Sequence, residues 1–149
     1  MAYQKQLHYH DPEQGIFGDC YRTCLAGLLD VDRDSVPHYV DSIEPAEWEK
    51  RITPLYAAWL ADRGLQELAI PVYGGNVSVE EILTFQATRT SQNSRAMLNG
   101  TSATGCNHCV IIGSGKILHD PSLTDSGILG PCDDGFYWVT WLIPLEPAQ

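Results

Sequence analysis

The apolar residues change their spacing part-way along the chain, and that change restricts the fold more than any other feature. Up to Gly64 they recur at helical intervals, while from Arg95 onward they come in short runs divided by turn residues. Cys20, Cys24, Leu25, Leu28 and Leu29 make one stripe of a helix that opens after Asp19, a residue suited to capping it. Trp48, Ile52, Leu55, Tyr56 and Trp59 make the inward face of a second helix, disturbed at Pro54 and ended at Arg63-Gly64. LQELAIPVYGG reads as a strand and turn, and SVEEILTFQATR as a short helix with Ser78 and Glu81 in a capping box. RAMLNG, NHCVIIG, KILHDP and FYWVTWLIPL read as strands. The expected class is therefore α+β, with N-terminal helices packed on a C-terminal antiparallel sheet. Residues 3–10 alternate only loosely and fit a short edge strand or an extended arm. With no Pro/Gly-rich linker to divide it, the chain is expected to form a single domain over residues 1–149.

Charge narrows the partners. The net charge is −10, with only nine Lys and Arg spread along the chain, so nucleic acid and anionic membranes are not expected partners. MAYQKQLHYHDPEQG carries no apolar run of the signal-peptide kind, and a cytoplasmic location is expected. Five cysteines cannot all pair within one chain, and a reducing compartment would keep them as thiols.

Cys20 is the cysteine whose place matters. A helix N-terminus carries partial positive charge and free N–H groups, so a thiol there ionises more easily, and the same N–H groups can hold an oxyanion. GCNHCVIIGSGKILHDP supplies possible partners. If residues 113–115 are a three-residue hairpin loop, His108 faces Asp120 across two strands, close enough for a carboxylate to fix the imidazole tautomer. Gln14, six residues before Cys20, could add a second oxyanion donor.

This order of Gln–x5–Cys at a helix start, a strand His and a following Asp-Pro resembles the papain-like cysteine peptidases. It is most similar to the leader-peptidase domains of bacteriocin exporters, and GDCYRT, VPHY and HDPS also resemble segments of small bacterial and phage proteins. The resemblance implies a papain-like fold and a cysteine hydrolase acting on a peptide or other amide. Its roles fall on Cys20 as nucleophile, His108 as base, Asp120 as orienter and Gln14 as oxyanion donor. Tyr21 stands where the exporter peptidases have a Gly after the nucleophile. No cofactor is expected, since thiolate, imidazole and oxyanion donors complete such a reaction alone.

Two other readings use the same residues. Cys106 and Cys109 form a C-x2-C that Cys20 and Cys24 could complete as a zinc site, although His108 lies inside the spacing. A non-catalytic binding or inhibitory protein on a peptidase scaffold is the other. Cys24, Cys109 and Cys132 read as packing residues, and His38 and His119 as hydrogen-bonded structural histidines. The residues do not separate peptidase from amidase, deconjugating enzyme or acyltransferase, because all share the thioester step.

Overall fold

A computed structural model describes residues 3–91 and 93–146. In chain order it contains α1 (Cys20–Leu29), α2 (Trp48–Ala61), β1 (Leu65–Tyr73), α3 (Val79–Arg89), β2 (Arg95–Thr101), β3 (Asn107–Gly113), β4 (Lys116–His119) and β5 (Phe136–Pro144). The fold is α+β. The strands form one sheet in the order β1-β5-β2-β3-β4, with every pairing antiparallel.

Side-chain alternation divides the core into two layers. On one face, Met97, Cys109 and Ile111 pack beneath Cys24 and Leu25 of α1 and Tyr56 and Leu60 of α2. On the other, Ala96, Leu98, Val110 and Ile112 pack against Ile82 of α3. The expected single helical layer is thus divided between the two faces. This explains why β3 reads as an unbroken apolar run: a strand covered on both sides has no wet face. Leu25, Leu60 and Ile111 are fully buried, and each such side chain contributes about 1.5–3 kcal/mol.

Two local expectations change. Pro54 does not interrupt α2, which runs through it. Pro54 is exposed, so the carbonyl it leaves without a helical partner can be hydrated. Residues 3–10 form no strand and run as an extended arm. Among the described residues, no helix is long and apolar enough to cross a membrane.

Candidate active site

The hairpin that carries His108 is built differently from the simple three-residue loop. Gly113 pairs with Lys116, leaving a two-residue turn in which Ser114 and Gly115 both take positive φ (53° and 79°), the type I′ pattern that matches strand twist. That turn alone would put His108 and Asp120 on opposite faces. The register then slips between Ile111 and Ile112, and Ile111 pairs with His119. The extra residue, Leu118, is taken up as a bulge, and its side chain packs on the α1–α2 core. One slip cancels the other, so Asp120 comes back to the side of His108.

His108 Nε2 lies 2.8 Å from Asp120 Oδ1. Two backbone groups hold the same carboxylate: Ser122 N–H donates to Oδ1 at 2.9 Å and Gly127 N–H to Oδ2 at 2.8 Å. Burial opposes the charge on Asp120, but the His108 hydrogen bond and these N–H groups outweigh it and hold the carboxyl well below its ordinary range. An ionised carboxylate only accepts, so Nε2 carries the proton and Nδ1 is left for Cys20. Burial pulls the imidazole down, yet the Asp120 hydrogen bond and the Cys20 sulfur push it up to about 9.

Cys20 is the first residue of α1, where the N–H groups of the opening turn have no partner within the helix. Its thiol interacts with the His108 imidazole and also with the Cys109 thiol. Cys109 and burial push the Cys20 thiol well up, against the downward pull of His108. A helix start alone therefore does not set the ionisation of Cys20: His108 favours the thiolate, while Cys109 and burial oppose it.

Asp19 is not the cap it resembles, for its side chain makes no capping bond to α1. Its carboxylate turns back to the arm, accepting at Oδ1 from Leu7 N–H (2.9 Å) and His8 N–H (2.8 Å). Oδ2 takes the Arg22 Nε–H at 2.9 Å. The arm so held brings Gln6 to the wall of the cleft that Cys20 and His108 also line. Gln6 is 8% exposed; its Nε2 donates one hydrogen to His8 O at 2.5 Å and keeps the other, while Oε1 has no hydrogen-bond partner.

Cys20, His108 and Asp120 are thus brought together, and Gln14 is not. Gln14 lies exposed in a short 3-10 turn (Pro12–Gln14) that does not line the cleft. The fixed six-residue spacing pointed to Gln14. Gln6 was missed because only long-range contacts, to Asp19 and to Pro121, return the arm to the helix start.

A cleft of about 650 Å³ opens over Cys20 and His108. Phe17, Tyr21 and Trp48 line one side, and Ser102, Thr104 and Ser126 belong to loops on the other. The remaining candidates take structural places. Cys24 and Cys109 are buried in the α1–α2 core, where Cys24 Sγ lies 3.4 Å from Cys109 O. His38 Nε2 meets Phe17 O at 3.1 Å, and His119 Nε2 meets Gln4 O at 2.6 Å. Among the described residues, no three His, Cys, Asp or Glu side chains are grouped as ligands for one metal ion. No protein-family model matches the chain, and neither does any curated protein or solved structure.

Proposed function

We propose that the chain is a cysteine-dependent hydrolase of the papain-like kind, cleaving a peptide or other amide bond through a thioester. The observation that carries this reading is the line from Cys20 at a helix N-terminus, through His108, to Asp120, which is held at 2.8 Å and by two backbone N–H groups.

In this reading Cys20 Sγ attacks the carbonyl carbon as its proton passes to His108 Nδ1. The oxyanion collects between the Cys20 backbone N–H and the free Nε2–H of Gln6. The C–N bond breaks, His108 gives its proton to the departing amine, and the acyl group stays on sulfur. Water, losing a proton to His108, then releases the acid and restores the thiol. Asp120 remains ionised and keeps the imidazole in one tautomer. His108 accepts a proton only as the neutral imidazole, so turnover rises toward pH 9.

An electrophilic peptide probe such as a vinyl sulfone tests the reading. Stoichiometric labelling of the Cys20 peptide, lost in His108→Ala, supports it. Labelling spread equally over the exposed thiols, unchanged in His108→Ala, refutes it.

A further inference from the structure

Gln6 sits on an arm whose first residues are tied down by Tyr3 stacking on His119, by Arg33 N–H donating to Gln4 Oε1 and by Lys5 donating to Asp120 O. Around Gln6 the arm forms no strand, and Leu7 and Tyr9 are 52% and 51% exposed, so apolar burial does not fix this part of it. Hydrogen bonds do. Gln6 N–H donates to Pro121 O at 2.7 Å, next to the triad carboxylate. The two N–H groups that follow Gln6 donate to Asp19, next to the nucleophile. Gln6 is strung between the sequence neighbours of Asp120 and Cys20.

Asp19 is built to keep that tie. It is 1% exposed, and Arg22 Nε, in the first turn of α1, fixes the second carboxylate oxygen. Arg22 is itself buried and reaches Val36 O at 3.4 Å, so the anchor continues into the body of the protein. Arginine stays charged at any pH the protein meets.

We propose that Asp19 is a positioning residue of the same site: by holding the Leu7 and His8 N–H groups it sets the Gln6 amide where the oxyanion forms. The inference rests on the hydrolase reading and adds to it a residue that touches no reacting atom.

Two reagents separate positioning from general support. p-Nitrophenyl acetate acylates a thiol: an S–C bond forms to the acetyl carbon, the acyl C–O bond breaks, p-nitrophenolate leaves, and the thiol proton passes to His108. That path goes through an oxyanion. Iodoacetamide alkylates the same sulfur with loss of iodide, and no oxyanion forms. Both rates are read by mass at the Cys20 peptide in wild type, Asp19→Asn, Gln6→Ala and the double variant. Displacing a reacting group by roughly 1 Å costs about 10²-fold, so Asp19→Asn is expected to slow acylation by about that factor. Alkylation should change less than about twofold, since it uses no oxyanion donor. In the Gln6→Ala background, Asp19→Asn should slow acylation no further. Equal losses in both reactions, or multiplied losses in the double variant, overturn the proposal. If Asp19→Asn does not fold, Arg22→Gln, which loosens the carboxylate from its other side, decides: a selective loss of acylation supports the proposal and an unchanged ratio overturns it. A wild type that alkylates but never acylates sinks the hydrolase reading, and the inference with it; a change confined to the ratio bears on Asp19 alone.

Discussion

Asp19, the residue before Cys20, and Asp120, the partner of His108, are held in the same way. Each carboxylate accepts two backbone N–H groups from an irregular segment and one side-chain N–H. In each, burial resists the charge and the hydrogen bonds overcome it. They differ in the third donor. Asp19 has Arg22, which keeps its proton, and Asp120 has His108, which can release it. One knot is a fixed anchor; the other is the same anchor with a movable proton. A folded chain can make a proton carrier from an ordinary structural device by exchanging one donor, and the exchange is made where a thiol is within reach.

The comparison breaks first at the variants Asp120→Asn and Asp19→Asn. The former should lower turnover by about 10⁴, because an amide favours the wrong imidazole tautomer. The latter should lower it by only about 10². Steady-state kcat at pH 8.5, with far-UV circular dichroism to confirm folding, measures both. Equal losses would mean that the two knots do the same job.

Next in size is Gln6. Gln6→Ala removes one oxyanion donor and should cost about 10²–10³ in acylation rate. Gln14→Ala should cost nothing, since its side chain is exposed and outside the cleft. Acylation rates of the two single variants are sufficient, and the reverse ranking would restore the six-residue spacing as the guide.

The smallest effect is on stability, and only the Asp120 knot has an alkaline limb. His108 is raised from 6.5 to about 9, so it contributes stability that is complete below pH 6.5 and disappears as pH rises through about 9. Asp120 is lowered from 3.8, so its contribution is present above that pH and fades as acid protonates it. The Asp19 pair shares the acid limb only, because its donor does not titrate in the alkaline range. Urea midpoints from pH 5 to 10 should show wild type losing about 2 kcal/mol relative to His108→Gln between pH 6.5 and 9. Against Asp19→Asn the difference should stay flat over that range. A flat difference for both would place no movable proton on His108.

The helices were legible from their period and the strands as short apolar runs bounded by turn residues, and the capping box of Ser78 and Glu81 forms as read. The division of helices between the two faces was not, since periodicity shows that a stripe is buried without showing which face of the sheet buries it. The His108–Asp120 contact was legible only in outcome: a plain three-residue loop and a two-residue turn with a bulge give the same parity. Asp19 reads as a cap because Asp before a helix usually caps it. Here the two N–H groups of a distant arm take its carboxylate instead. Gln6 was hidden for the same reason, as its place depends on contacts across the fold and not on its spacing from Cys20.

The claim at the centre is that Cys20 takes an acyl group with His108 as its base. Intact-mass measurement after brief exposure to p-nitrophenyl acetate at pH 8.5 tests it directly, with fragmentation to find the modified residue. The account predicts one acetyl group on Cys20, formed quickly in wild type, absent in Cys20→Ala and strongly slowed in His108→Ala. Acetylation of Cys106 or Cys132 in its place, or of Cys20 at the same rate without His108, would contradict it.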